Sequence, residues 1–384
     1  MADLVNRRRF LEIGTLGVGY GAIAPHANAT QSNHSTENTV RMVGDGLGLS
    51  PSELADTWTQ LATKGEIEPD SYSNGGTVEH LETACAAVLG KERAVFMPTG
   101  TLANHLAVRE LAGGTGRAIV QAESHLYNDS GDCVQNLTNM PLVALGANQA
   151  SFSNEQLDTA VERAQTGRVA TPIRVISIET PVRRRFGETF DGNQLERVVS
   201  FAKEREISLH LDGARIFLQA AYENRPVSDY TGPFDTVYVS LYKYFNAPSG
   251  AILAGPRSLL DGMFHTRRMF GAGLPAAWPF AAIAHHYLPG FTTRFRRAVD
   301  TSEAWVELIS NHEAFVVERI KSGTNLLRLR VTGTDPQLFR ARLERAGIVI
   351  GRPRGTGQFL IAVNETWNRK PADEIATVFV EALG

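Results

Sequence analysis

The alternation of strand and helix patterns in the middle of the chain is the feature that most restricts its fold. Between about residue 75 and about residue 255, short apolar runs alternate with stretches in which apolar residues recur at helical spacing. This order predicts an α/β fold with a mostly parallel sheet covered by helices. The predicted strands contain the runs AVFM, AIVQ, VISIE, SLHLD and TVYVS. Because ligands bind at the carboxyl ends of such strands, the polar residues that follow them are the functional candidates.

Length and composition set the domain organisation and exclude some partners. A chain of 384 residues can bury one large core and a smaller one. We predict an export signal over residues 1–29, an N-terminal arm over 30–60, a large domain over 61–300 and a small α+β domain over 301–384. A net charge of −3 does not indicate a nucleic-acid partner. No apolar run is long enough for a membrane anchor.

The two cysteines predict no metal site. Their spacing matches no zinc or redox motif. Cys85 lies in an apolar helical stretch, which predicts burial as a small hydrophobic residue. Whether Cys85 and Cys133 form a disulfide stays open.

The first residues resemble an export signal. Arg7, Arg8 and Arg9 precede Phe10-Leu11, a mildly apolar stretch follows, and Ala27-Asn28-Ala29 could be cut by a signal peptidase. Consecutive arginines before Phe-Leu resemble a twin-arginine signal, which predicts a periplasmic protein. The alternative is a cytoplasmic protein with a basic tail, and Glu12 inside the apolar stretch weakens the export interpretation.

Two candidate positions follow the first two predicted strands of the sheet. Gly100 and Thr101 open a helix directly after a strand, where backbone N–H groups and the helix dipole favour a phosphate. An ordinary capped turn would have the same sequence. His125 follows the strand AIVQ, so its ring is placed either to stack on a flat cofactor or to be an ordinary polar residue.

Asp212 and Arg215 close the strand SLHLD. The carboxylate is suited to a protonated ring nitrogen and the guanidinium to a substrate carboxylate. Alternatively, Asp212 caps the next helix and Arg215 forms a structural ion pair.

Lys243 is the lysine best suited to act as a nucleophile. It follows the apolar strand TVYVS, where desolvation lowers the pKa of an amine. The other five of the six lysines lie in polar contexts. A phosphate turn, a histidine, an Asp–Arg pair and a lysine, each after a separate strand, together predict a pyridoxal 5'-phosphate site with Lys243 as the Schiff-base lysine.

These residues resemble the threonine aldolase and aromatic amino acid beta-eliminating lyase family. The family belongs to the fold-type I (aspartate aminotransferase-like) pyridoxal-phosphate enzymes. The resemblance runs from about Ser73 to Leu288. It is clearest in GGTVEHLETACAAVLGKERAVFMPTGTLANHLAV, HLDGARIF and YKYFNAPSGAILAGPRSLLDGMFHTRRMFGAG.

The resemblance assigns a role to each candidate. It implies that Gly100 and Thr101 bind the cofactor phosphate, that His125 stacks on the ring and acts in catalysis, and that Asp212 pairs with the pyridine nitrogen. It also implies that Arg215 binds the substrate carboxylate and that Lys243 holds the cofactor. Either Arg267 or Arg268, and we favour Arg268, would lie near the phosphate. Homodimers or homotetramers with sites between subunits are implied as well.

Three departures from the family concern the substrate. An Arg-Ser-Asp-Thr segment is replaced by RMVGDGLGLS, and Glu-Asn-Thr-His by Glu179-Thr180-Pro181-Val182. In the small domain, Arg-x-Val-Thr-His is replaced by residues 359–363, so a second carboxylate-binding arginine is missing. One of Arg183, Arg184 and Arg185 could compensate, or they form a solvated basic loop.

The expected function is therefore that of a lyase acting on an amino acid. The resemblance implies cleavage of the Cα–Cβ bond of a β-hydroxy amino acid to glycine and an aldehyde. The departures leave open β-elimination, transamination, racemisation, or an exported protein that binds pyridoxal phosphate without turnover.

Overall fold

The computed structural model describes residues 38–384. Within these residues the strands are β1 Val40–Arg41, β2 Arg93–Met97, β3 Arg117–Gln121, β4 Leu142–Leu145, β5 Ile173–Glu179, β6 Ser208–Asp212, β7 Thr236–Ser240, β8 Ala251–Gly255, β9 Phe315–Arg319, β10 Leu326–Val331, β11 Ile348–Val349 and β12 Gln358–Ala362.

Helices connect and cover the strands. They are α1 Pro51–Thr63, α2 Gly76–Leu89, α3 Gly100–Ala112, α4 His125–Asn128, α5 Cys133–Thr138, α6 Asn154–Gln165, α7 Gly192–Glu204, α8 Ile216–Tyr222, α9 Val227–Thr231, α10 Arg257–Leu260, α11 Met263–Met269, α12 Trp278–Tyr287, α13 Phe291–Ile309, α14 Pro336–Arg345 and α15 Ala372–Glu381. Two 3₁₀ turns lie at Arg183–Arg185 and Glu365–Arg369.

A seven-stranded sheet forms the centre, in the order β4-β3-β5-β6-β7-β8-β2. Strand β8 is antiparallel to both neighbours, and the other adjacent pairs are parallel. The predicted mostly parallel sheet is confirmed. Strands β4 and β8 are not predicted from the sequence, because runs as short as LVAL and AILAG do not by themselves distinguish a strand from a loop.

The strand register gathers polar residues at one edge of the sheet. Glu179, at the end of β5, lies opposite Asp212, at the end of β6, and Asp212 lies opposite Tyr238 on β7. Since parallel strands end together, the loops that follow them share this edge. Helix α3 packs against β6 and β7, so its first turn reaches the same region.

The C-terminal region contains a smaller antiparallel sheet in the order β12-β10-β9. The arm joins this region, because β1 pairs in parallel with β11. Helix α13 runs continuously across residue 300, where the sequence predicts the boundary between the domains. That boundary stays a prediction.

The remaining sequence expectations have different outcomes. Cys85 and Cys133 are both buried and unpaired, so the disulfide left open by the sequence does not form in this structure. Burial raises the pKa of the Cys133 thiol to about 11. Within residues 38–384, no helix has the length and apolarity needed to cross a membrane. The predicted export signal lies outside the described residues.

Candidate active site

Lys243 lies three residues beyond β7, in the segment that leads from this strand toward β8. Its Nζ is 3.2 Å from the hydroxyl oxygen of Tyr242. Desolvation by the surrounding protein lowers the pKa of the Lys243 amine, and the positive charge of Arg215 lowers it further. A lowered pKa makes the neutral, nucleophilic amine accessible nearer neutral pH.

Asp212 is a buried carboxylate at the end of β6, with only 2% of its surface exposed. Its Oδ2 accepts a hydrogen bond of 2.6 Å from Nδ2 of Asn104, and its Oδ1 accepts one of 3.2 Å from the backbone N–H of Ala214. Among the residues that the structure describes, no lysine, arginine or histidine forms an ion pair with it. A buried charge is costly without a cationic partner, and the protonated ring nitrogen of pyridoxal phosphate would supply one.

His125 opens α4, and its ring is in electrostatic contact with both Asp212 and Lys243. Nδ1 lies 3.2 Å from Oγ of Ser130. Burial lowers the pKa of the imidazole, the charge of Lys243 lowers it too, and Asp212 acts in the opposite direction. The imidazole of His125 is therefore mainly neutral. A neutral, planar ring beside Asp212 and Lys243 is suited to stacking on a cofactor.

Glu179 fixes the loops around His125. Its Oε2 accepts from the backbone N–H of His125 at 2.6 Å, and its Oε1 accepts from that of Arg183 at 2.9 Å. Burial raises the pKa of the Glu179 carboxyl to about 7, and the charge of Asp212 raises it as well. Because its two carboxylate oxygens accept from the backbone N–H groups of His125 and Arg183, Glu179 joins the two segments that contain these residues.

The predicted phosphate turn is a true helix start. Thr99 is the N-cap of α3, accepting from the N–H of Leu102 at 3.3 Å, so the N–H groups of Gly100 and Thr101 lie in the first turn, where intrahelical partners are missing. Glycine is required at position 100 by packing. A side chain at Gly100 would overlap with the Tyr238 hydroxyl group, so close packing of Tyr238 already demands glycine.

Arg215 is held by the N-terminal arm. Its Nε lies 2.9 Å from Oδ2 of Asp45, and both side chains are largely buried. Oδ1 of Asp45 accepts from Nδ2 of Asn325 at 3.3 Å. The structural ion pair that the sequence left open for Arg215 is thus present, whereas Asp212 does not cap α8, whose N-cap is Arg215.

The other arginines separate into structural and peripheral groups. Arg267 is 2% exposed and donates to the backbone carbonyls of Phe96, Tyr72 and Ser73, so it anchors the chain. Arg268 is exposed and stacks on the ring of Tyr72, with 4.7 Å between its guanidinium carbon and the ring centre. Its contact with a phosphate stays a prediction.

The three arginines after Pro181 have acidic partners. Arg184 forms two hydrogen bonds with Asp129, and Arg183 forms one with the same carboxylate at 3.2 Å. Arg185 pairs with Glu188. Of the three, Arg183 is also in electrostatic contact with His125.

Sequence reasoning missed four residues of the site. Asp45 and Tyr242 had no distinguishing pattern, since one lies in an irregular arm and the other beside the lysine itself. Asn104 and His210 left a usable signal: each is a polar residue at a position where the helix or strand pattern demands an apolar one. Within residues 38–384, no cluster of potential ligands could hold a metal ion.

Comparisons with known proteins show the family of the chain. The family model described as "Beta-eliminating lyase" matches residues 55–332. Low-specificity L-threonine aldolase 1 of Arabidopsis thaliana is 24% identical over 223 residues, covering 57% of this chain and 62% of that protein. Aldolase vrtJ of Penicillium aethiopicum is 28% identical and covers 74% of this chain and 72% of that protein. Alanine racemase TOXG of Cochliobolus carbonum is 26% identical, covering 59% and 57%.

Solved structures show the same fold. One, assigned to the aromatic amino acid beta-eliminating lyases/threonine aldolases of Exiguobacterium sp. 255-15, superposes with a TM-score of 0.75 at 22% identity, covering 91% of this chain and 98% of that chain. A serine palmitoyltransferase of S. paucimobilis with bound PLP gives a TM-score of 0.60 at 17% identity, covering 90% and 86%. This is the fold-type I architecture, as the sequence predicts. The chain spans about three fifths of the length of the Arabidopsis relative. It belongs to the beta-eliminating lyase family, and its cofactor is pyridoxal 5'-phosphate.

Proposed function

We propose that this enzyme cleaves the Cα–Cβ bond of a β-hydroxy amino acid and releases glycine and an aldehyde. The observation that carries the proposal is the contact between Lys243 and Tyr242. Nζ of Lys243 lies 3.2 Å from the hydroxyl oxygen of Tyr242, in the segment that follows β7. Such a cleavage needs groups that remove a proton from the β-hydroxyl and return one to Cα. The likeness to two aldolases supports the same reaction.

The described residues fit the cofactor. Lys243 would hold it covalently, Asp212 would bind the ring nitrogen, and His125 would lie against the ring. The first N–H groups of α3, at Gly100 and Thr101, would bind the phosphate together with Arg268. When bound, the cofactor supplies an electron-withdrawing ring that stabilises negative charge at Cα.

The protein residues carry out binding and proton transfer. Arg215 would bind the substrate carboxylate after exchanging its contact with Asp45. The amine of Lys243, released when the substrate amine replaces it, has a lowered pKa and can accept a proton. Tyr242 is within reach to pass that proton on. The β-hydroxyl loses its proton, the Cα–Cβ electron pair stays at Cα, the aldehyde leaves, and Cα receives a proton.

Replacement of Lys243 tests the proposal. Lys243→Ala should lose the visible absorption of the bound cofactor, and activity should fall by about a thousandfold. Lys91→Ala is the matched control, because burial also lowers the pKa of Lys91 although it binds the Phe234 carbonyl far from the site. Products from several amino acids should include glycine and an aldehyde only for β-hydroxy substrates. Unchanged cofactor absorbance and activity in Lys243→Ala would refute the assignment.

Racemisation at Cα is a second candidate. Where the family has a histidine, this chain has the completely buried Val182, so no imidazole is available there for the substrate hydroxyl. The likeness to an alanine racemase is consistent with this alternative. Loss of optical activity from a single enantiomer, without release of aldehyde, would favour it. A cofactor-bound protein without any product would indicate binding alone.

We further propose assembly as a homodimer or homotetramer. An apolar recess of about 320 Å³ opens beside the start of α3, lined by residues such as Leu102, Leu137 and Phe270. Leu137 is 56% exposed, and a second copy of the chain would cover it. Light scattering on the purified enzyme measures the assembly, and a monomer would contradict it.

Export to the periplasm is proposed from the sequence of residues 1–29 alone. Replacement of Arg7 and Arg8 by lysine should retain the protein in the cytoplasm, as cell fractionation would measure. An unchanged distribution would contradict a twin-arginine route.

A further inference from the structure

A continuous row of buried polar side chains runs from Asp212 into the protein. Nδ2 of Asn104 lies 2.6 Å from Oδ2 of Asp212, and Oδ1 of Asn104 lies 2.8 Å from Nε2 of His210. Nδ1 of His210 lies 2.9 Å from Oγ1 of Thr236. Asn104, His210 and Thr236 are completely buried. These three residues, here called the Asp212 relay, do not belong to the cofactor-binding residues assigned above.

The strands and helices bring the three relay residues and Asp212 together. His210 and Asp212 are two residues apart on β6 and therefore share a face of the sheet. Thr236 is the register partner of His210 on β7. Helix α3 covers this face and contributes Asn104. The relay is thus built from three elements.

The direction of every hydrogen bond follows from the charge of Asp212. An ionised carboxylate only accepts, so the Asn104 amide must donate to it, which leaves Oδ1 of Asn104 as an acceptor. Nε2 of His210 must then carry the proton. Burial lowers the pKa of His210 to about 4, so the imidazole is neutral. With the proton on Nε2, Nδ1 is left as an acceptor for the Thr236 hydroxyl. All three donors point toward Asp212.

This arrangement favours one orientation of the Asn104 amide. An Asn104 side chain rotated by half a turn would place its carbonyl oxygen against the carboxylate and its NH₂ group against the Nε2–H of His210. With its proton on Nε2, His210 supports the amide orientation that donates to Asp212. A charge-assisted hydrogen bond of this kind stabilises the ionised carboxylate.

We propose that Asn104 and His210 are positioning residues that hold the Asp212 carboxylate by a hydrogen bond and keep it aimed at the ring nitrogen of the cofactor. The proposal rests on the role of Asp212 toward pyridoxal phosphate and is independent of which amino acid reacts. A relay that only filled the core would affect folding and leave the properties of the bound cofactor unchanged.

The test compares Asn104→Leu and His210→Phe with His210→Gln in the reconstituted enzyme. The first two remove a donor, whereas glutamine can still donate to Asn104. We expect a cofactor dissociation constant raised about tenfold or more in the first two variants, as for loss of a hydrogen bond to a charged group, and nearly normal in His210→Gln. His105→Gln is the control, since His105 is the buried neighbour of Asn104 on α3 but bonds to Thr138.

The spectrum of the bound cofactor provides a second readout. If the ring nitrogen loses its proton, its positive charge no longer opposes protonation at the Lys243 nitrogen. The pH midpoint of the visible absorbance should therefore rise in Asn104→Leu and His210→Phe. An unchanged midpoint and unchanged affinity in both variants would overturn the proposal.

Asp212→Asn separates this inference from the assignment on which it rests. If Asp212→Asn changes neither affinity nor midpoint, the role of Asp212 itself is wrong. If Asp212→Asn changes both and the relay variants change neither, only the relay is refuted. Should the two disruptive variants fail to fold, Thr236→Val, which is nearly isosteric, takes their place with a smaller expected rise of the midpoint. No rise in Thr236→Val would then count against the relay.

Discussion

Nε of Arg215 lies 2.9 Å from Oδ2 of Asp45, so the arginine predicted to bind the substrate carboxylate already binds a carboxylate of the protein. The two residues are 170 positions apart in the chain. If Arg215 binds the substrate carboxylate as proposed, the substrate competes with Asp45 for this guanidinium, and the ion pair sets part of the energetic cost of substrate binding.

Removal of the competing charge should strengthen substrate binding. In Asp45→Asn we expect KM to fall several-fold with little change in kcat. Stability should fall by about 1–2 kcal/mol, between the values for surface and buried pairs. Steady-state kinetics and thermal unfolding measure the two effects. Asp300→Asn, which breaks an exposed pair with Arg296, is the control. A higher KM in Asp45→Asn would mean that Asp45 orients Arg215 for the substrate.

Tyr242→Phe should separate proton transfer from cofactor binding. The change removes the hydroxyl that lies 3.2 Å from Nζ of Lys243. We expect kcat to fall about 10- to 100-fold, the range for loss of a proton-transfer group, while cofactor absorbance is retained. Tyr230→Phe removes a hydroxyl bound to Glu223, away from the site, and should leave kcat unchanged. Equal rates for Tyr242→Phe and the wild-type enzyme would exclude Tyr242 from proton transfer.

His210 should make stability depend on pH below neutrality. Its pKa is about 4 in the folded protein, against 6.5 for an ordinary imidazole. Between these values the unfolded chain binds a proton that the folded protein does not, so stability falls as the pH is lowered through this window. The loss reaches about 2 to 3 kcal/mol near pH 4.5. Thermal midpoints at about pH 7 and about pH 4.5 should differ less in His210→Gln than in the wild-type protein. The exposed His265, replaced by glutamine, is the control, and an equal difference in all three proteins would contradict the prediction.

Arg267 and Arg268 should differ in what their loss affects. Arg267→Ala leaves three backbone carbonyls without their donor and opens a cavity, so we expect a loss of about 3 kcal/mol or more in stability. Arg268→Ala removes an exposed side chain and should change stability by about 0.5 kcal/mol or less, yet weaken cofactor binding if Arg268 contacts the phosphate. Thermal unfolding and cofactor titration give both values. Unchanged cofactor affinity in Arg268→Ala would remove it from the phosphate site.

The sequence predicts the residues that follow the strands better than the contacts among them. Asp212, His125 and Lys243 lie together as expected, because the ends of parallel strands share one edge of the sheet. The contact of Asp45 with Arg215 was not predictable, since the residues around Asp45 lack any periodic pattern and reach the site only through tertiary packing. The role of Glu179 also depends on two backbone N–H groups from distant loops, which no side-chain motif reports.

The pairing of β1 with β11 has a consequence for the order in which the enzyme is assembled. Val40–Arg41 pairs with Ile348–Val349, which lies far along the sequence from it. During synthesis, β1 leaves the ribosome long before β11 and cannot pair until β11 has followed it. Asp45 follows β1 closely, so we expect the ion pair of Arg215 with Asp45 to form only once β11 holds this segment in place. A nascent chain without β11 would lack this support for Asp45 even if its central sheet were complete.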